Sequence, residues 1–289
     1  MQSEHVNLAA KELTHRVRGH FRLDLHRQIF DAAVESCDHE DIPLRLKNFA
    51  SALRELGRIW LEQLAPKEKI RACEWFEQDT DLREEDGVTR AQRAKYAVQG
   101  ELHDEVVLDY LQIDVQSTVK EYLALIDELS NYGRFDTPAK TAELGAIRAL
   151  ETFDQLSELI QERHASLLSS AAVAALDAAS LDSRLYDEAD GALFVEVGEE
   201  LDRPSTHVTS DDLELDSLSI LSLAPDRILY QGRGRVYARL QYGPVSVVAL
   251  DIDEPVHDIY PFECNFESDT GYLDPTFVRG SMKIDTGQG

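Results

Sequence analysis

The sequence predicts an α+β fold: an N-terminal all-α domain of long amphipathic helices, followed by a small antiparallel β domain. Three observations carry that reading. Apolar residues recur at spacings of three and four as far as about residue 176, the rhythm that keeps one side chain per turn on a single helix face. After about residue 185 the period shortens to two. This is clearest at 235–242, where Val236, Ala238, Leu240 and Tyr242 alternate with Arg235, Tyr237, Arg239 and Gln241. Glycine and proline then punctuate short runs, as tight turns between strands require. The boundaries implied are 1–180 for the helical domain, 181–270 for the β domain and 271–289 for an irregular tail.

Residues 4–36 read as helical, with Leu8, Leu13, Val17, Phe21, Leu25, Ile29 and Phe30 as the stripe. Asp41 as a cap and Pro43 in a first turn start another helix. It carries Ile42, Leu46, Phe49, Leu53, Leu56, Trp60 and Leu64, and Pro66 ends it. A short amphipathic piece follows at 70–76, then an acidic loop at 77–87. Thr89 caps a helix bearing Arg90, Arg93, Lys95 and Tyr96. The stretch 101–131 reads as one long helix, striped by Leu108, Leu111, Val115, Val119, Tyr122, Ile126 and Leu129. At about 1.5 Å per residue it would be roughly 45 Å long. A second long helix is expected over 140–176, ending in the small-residue run SSAAVAALDAASL, which suits either close approach of another element or a pliable connection.

In the C-terminal part, 193–197 (LFVEV) reads as a strand, as do 213–223, 228–230, 235–242, 245–252 and 257–266. Gly232 and Gly234 are taken as a turn between two of these, and the GRG at 232–234 lacks the context of a nucleotide-binding loop.

The net charge is −26. Residues 181–289 hold 22 Asp and Glu against 8 Lys and Arg, so the β region is the more acidic per residue. Such a surface repels phosphates. Nucleic acid would be bound only through a local basic site, and protein partners or a homo-oligomer are the expected associations. No run of about 18 apolar residues occurs, so no membrane contact is expected, and an N-terminus without an apolar core points to a cytoplasmic protein. Cys37, Cys73 and Cys264 are odd in number and far apart, which suits reduced thiols.

No CxxC pair, HExxH or GxSxG occurs. Cys37, Asp38, His39 and Glu40 form one short cluster without a second half, so no metal site is assigned. A helical RNase of the HEPN type would carry Arg and His separated by four to six residues. Arg16 and His20, and Arg22 and His26, are separated by three, and both pairs read as surface pairs. The stronger constellation surrounds 101–131. Arg90, Arg93 and Arg134 are the candidate phosphate contacts and His103 the candidate proton carrier, with Lys95 and Tyr132 nearby. The alternative is a basic helix face that neutralises nearby acids.

The segments LRELGRIWLEQLAP (53–66), CEWFEQD (73–79) and VTRAQRAKYAVQG (88–100) resemble the bacterial family of predicted pPIWI-associating nucleases. That family shows a helix ending in LAP, a WF element, here Trp75 and Phe76, and a T-x-x-Q-R-x-x-Y segment, here Thr89, Gln92, Arg93 and Tyr96. LELDSLSIL, GRGRVYARLQYG and YPFECNF resemble a β module that recurs behind toxin-like and nuclease-like domains. The resemblance implies a component of a prokaryotic defence or conflict system, a nuclease-like effector acting on phosphodiesters. No cofactor is identified, and a nuclease would admit a divalent metal. The alternative is a non-catalytic adaptor or immunity-type regulator that binds a partner protein.

Overall fold

The computed structural model describes residues 2–38, 44–78, 87–131, 139–196, 206–242 and 256–285. They group into two compact units: residues 1–100 with 113–166, and residues 101–112 with 167–289.

The first unit is helical. The stretch read as one helix over 4–36 is two, α1 (Gln2–Gly19) and α2 (Asp24–Asp38), joined by a turn in which His20 N–H and Phe21 N–H donate to the carbonyls of Val17 and Arg18. The turn sinks Phe21 into the core, 5.6 Å from Phe30 and 5.5 Å from Phe153, so it is a packing device as much as a connection. Helix α3 (Arg45–Leu64) buries Leu46, Phe49, Leu53, Leu56 and Trp60, the residues its sequence rhythm marks. Asp41 and Pro43, the expected helix start, lie outside the described residues, as do His39 and Glu40. The short α4 (Lys67–Ala72) follows Pro66, and α5 (Arg90–Gln99) begins at a capping box. Thr89 accepts from the Gln92 N–H, and the Gln92 side chain accepts from the Thr89 N–H.

The single helix expected over 101–131 does not form. Residues 106–110 make a π-helical turn (Val106–Tyr110), and a true helix, α6, starts only at Val115 and runs to Asn131. Gln112 takes a positive φ of 56°, which no helix interior accepts, and Asp114 then caps α6 by accepting from Ser117 N–H. Leu108 therefore lies 49% exposed instead of on a buried stripe. Helix α7 (Ala139–Ser180) is longer than expected and continuous through its small-residue run. Ala171, Ala175 and Ala179 are fully buried at i, i+4 and i+8, so that run is a close-packed helix face.

The second unit contains the sheet. LFVEV (193–197) is not a strand. Its described residues close α8 (Ser183–Glu196), in which Leu185, Ala189 and Leu193 are fully buried at intervals of four. The sheet runs β1 (Thr206–Ala224), β2 (Arg227–Tyr242), β3 (Val256–Ser268) and β4 (Thr276–Phe277), antiparallel, with β5 (Lys283–Ile284) also pairing with β3. The three extra residues of β1 over β2 are absorbed at three register shifts, after Ser210, Leu215 and Ile220, which increase local twist. Residues 228–230 and 235–242 belong to one strand. Gly232 and Gly234 are not a turn but mid-strand positions facing aromatic rings: a Cβ on Gly234 would collide with the Glu214 carbonyl oxygen and stand 2.7 Å from the Phe262 ring. The expected strand at 245–252 lies outside the described residues. The tail read as irregular supplies β4 and β5, with Leu273, Phe277, Met282 and Ile284 buried.

Asp182 fastens α8 to that tail. It accepts from Arg184, from the Arg184 N–H, and at 2.7 Å from the Phe277 N–H. The Arg184 ion pair, then the backbone donors, hold its carboxyl down at about 2, against the opposing effect of burial. A carboxyl depressed in the folded state stabilises above its ordinary value near 3.8, and the stabilisation is lost as pH falls toward 2. The difference in urea midpoint between wild type and Asp182→Asn is therefore expected to shrink from pH 4 to pH 2. A constant difference over that range would contradict the assignment. In β3 burial pushes the Cys264 thiol up to about 12, which leaves it protonated and unreactive near neutral pH.

Candidate functional site

Of the residues expected to contact phosphate, Arg90 and Arg93 are described, and both stand on α5. Arg90 is exposed in the first turn of α5. Arg93, three residues on, is only 8% exposed, and its Nη1 donates to the Ala65 carbonyl at 2.7 Å. Lys95 stacks over Trp75, 4.3 Å from the ring centroid. Arg134 lies outside the described residues. His103 belongs to the other unit, where its Nε2 stands 3.2 Å from the Thr270 hydroxyl.

The segments that carry the family resemblance instead meet in one packed cluster. Ala65, from the LAP, lies with Ile70, Cys73, Val88 and Tyr96, covered by Trp75 and Phe76. Trp75 Nε1 donates to the Gly100 carbonyl at 3.2 Å, and Gln92 Nε2 to the Glu77 carbonyl at 2.6 Å. Thr89 and Gln92 cap the helix, Arg93 ties it to the end of α3, and Tyr96 fills the centre. The motif is a folding device. Arg93→Ala is expected to lower stability by about 1–3 kcal/mol, because it removes the charged donor to a buried carbonyl. Urea unfolding measures this, and an unchanged midpoint would contradict it.

The convergent polar group of the helical unit is elsewhere. Asp154 stands on α7 with its side chain 5% exposed. Its Oδ1 is 2.8 Å from His20 Nε2 and its Oδ2 accepts from Arg16 Nε at 2.6 Å. Gln161, two turns further along α7, places Nε2 3.2 Å from His20 Nδ1. A carboxylate only accepts, so Nε2 of His20 carries the proton. In the neutral ring Nδ1 presents its lone pair, and the Gln161 amide donates to it. Asp154 and Gln161 thus hold the His20 imidazole at both of its nitrogens. Its side chain is 11% exposed, while Arg16 is 58% exposed and Gln161 is exposed. Lys11 and His15 are exposed on the preceding turns of α1. One buried acid thus orients a histidine and a guanidinium at an accessible edge.

Reading Arg16 and His20 as a surface pair is therefore wrong for His20. His26 is also buried, at 4% exposure, with Nδ1 lacking a partner among the described residues. What the sequence reading missed was Asp154, 134 residues from His20. Its signal is an acid on the buried arc of a helix, between Leu150 and Ser157 at i−4 and i+3, where an unpaired carboxylate is not expected. Among the described residues, no group of three or more His, Cys, Asp or Glu is placed to hold a metal ion, and no single helix is long and apolar enough to cross a membrane.

A family model described as a predicted pPIWI-associating nuclease matches residues 19–159, which include His20 and Asp154, and a second model of the same description matches 172–288. No curated protein and no solved structure matches the chain. Between them the two models span nearly the whole sequence, and the chain belongs to the predicted pPIWI-associating nucleases.

Proposed function

We propose that this chain is a nuclease-like effector of a prokaryotic conflict system, and that His20, Asp154 and Arg16 form its phosphodiester-cleaving centre. The observation that supports the reading is the buried Asp154 carboxylate, which orients the His20 ring through Nε2 while aligning Arg16 beside it. In this reading His20 Nδ1 takes a proton from the attacking hydroxyl. Asp154 stabilises the imidazolium that results, and the exposed guanidinium of Arg16 meets the phosphate. On a chain of net charge −26, the exposed Lys11 and Arg16 of α1 would supply the positive charge that a phosphate needs.

The test is cleavage of labelled single- and double-stranded RNA and DNA by the purified chain in Mg²⁺, wild type beside His20→Ala. At least one substrate is expected to be cut, and cutting is expected to be lost in the variant. Equal cutting by both would overturn the site. No cutting by wild type would overturn the nuclease reading in favour of an adaptor that binds a partner protein.

A further inference from the structure

The chemistry available at the site selects among phosphodiesters. It consists of one imidazole, one carboxylate already committed to it, and one guanidinium already sharing that carboxylate. His20 has one acceptor nitrogen, and the group now against it is the exposed Gln161 amide at 3.2 Å. That is a long hydrogen bond on an exposed side chain, which an incoming hydroxyl can replace. A lone imidazole is a modest base. It serves best where the nucleophile is already held beside the phosphorus, because an attached hydroxyl brings the advantage of an intramolecular reaction. RNA carries such a hydroxyl at C2′, next to every scissile phosphate; DNA does not.

Resting on the nuclease reading above, we propose that the site takes RNA and cleaves it by internal transesterification. Nδ1 of His20 removes the 2′-hydroxyl proton, and O2′ bonds to phosphorus. The P–O5′ bond breaks, and the 5′-oxygen takes a proton from solvent while His20 returns its own to solvent. The products are a 2′,3′-cyclic phosphate and a 5′-hydroxyl. Nothing is oxidised or reduced, and no co-reactant is consumed. Gln161 is a positioning residue, which holds the imidazole ready until the hydroxyl displaces it.

The experiment uses the full chain in EDTA with three oligonucleotides of one sequence: RNA, 2′-O-methyl RNA and DNA. The expected result is cutting of RNA at least about 10³-fold faster than of the other two, within what an attached nucleophile supplies. By mass, the 5′ fragment should be one water lighter than a linear phosphate. His20→Asn, which keeps a donor toward Asp154, controls for folding and is expected to be as inactive as His20→Ala. Cutting of DNA or 2′-O-methyl RNA by wild type but not by the His20 variants would overturn the RNA inference and leave the nuclease reading standing. So would cutting that requires Mg²⁺, or fragments ending in 3′-hydroxyls. No cutting of any substrate by wild type, with or without Mg²⁺, would overturn both.

Discussion

Asp154→Asn is expected to lower cleavage by about 10²- to 10⁴-fold, the usual contribution of an acid–base group. Asparagine has the same shape, but its two ends cannot serve both neighbours. If the amide oxygen faces His20 Nε2, the NH₂ faces Arg16 Nε, and two donors meet. If the amide is turned, its NH₂ faces Nε2, and the imidazole carries its proton on Nδ1, where it is no longer a base. In either case the negative charge that stabilises the imidazolium is gone. The same carboxylate also ties the end of α1 to α7, so some loss of stability accompanies the change, about 1–3 kcal/mol for a buried donor left unpaired. The activity assay therefore belongs at a temperature where circular dichroism shows the variant folded. Full activity in a folded Asp154→Asn protein would mean that the acid only fastens helices.

The largest effect on stability is expected at Trp60. It is 3% exposed on α3, on the stripe with Leu53 and Leu56. A Cβ added at the neighbouring Gly57 would stand 3.4 Å from the Phe153 ring and 3.9 Å from the Ile126 side chain, so this part of α3 packs closely against α6 and α7. Truncating an indole in such a core loses its transfer free energy and leaves a cavity that surrounding helices cannot close. Trp60→Ala should cost about 3–5 kcal/mol. Urea unfolding measures it, and a shift below about 1 kcal/mol would show that the core collapses around the gap.

The helical face of the fold was legible because burial and periodicity coincide there. Leu46, Phe49, Leu53, Leu56 and Trp60 are marked by spacing and are buried. Legibility failed where local backbone geometry overrides the rhythm. Leu108 and Leu111 keep a helical spacing into α6, yet the positive φ at Gln112 breaks the helix between them and Val115. Gly232 and Gly234 carry turn chemistry in isolation. They are strand residues because Phe262 and Phe266, on the partner strand, occupy the space that side chains would need. LFVEV has strand composition, but Leu193 completes an i, i+4 series with Leu185 and Ala189 that buries it in a helix.

The candidate site was half legible. The Arg16–His20 spacing is visible in the sequence, but nothing local distinguishes it from a solvated pair, since the partner that gives it meaning lies 134 residues away. The basic cluster before 101–131 suggests phosphate binding because a guanidinium such as that of Arg93 suits a phosphate. Its burial against Ala65 follows from the packing of α5 on the end of α3, which no window of sequence displays. The residues most recognisable as a family motif hold the helices together, and the group best arranged for chemistry sits outside that motif.

The most direct measurement of whether His20 and Asp154 act as one unit is a double-variant cycle on cleavage rate. It compares wild type, His20→Ala, Asp154→Asn and the two substitutions combined. If Asp154 works only through the imidazole, the combined protein should be no slower than His20→Ala alone, within about threefold, as groups that act together are not additive. If the two losses multiply, Asp154 acts independently of His20, and the dyad is contradicted.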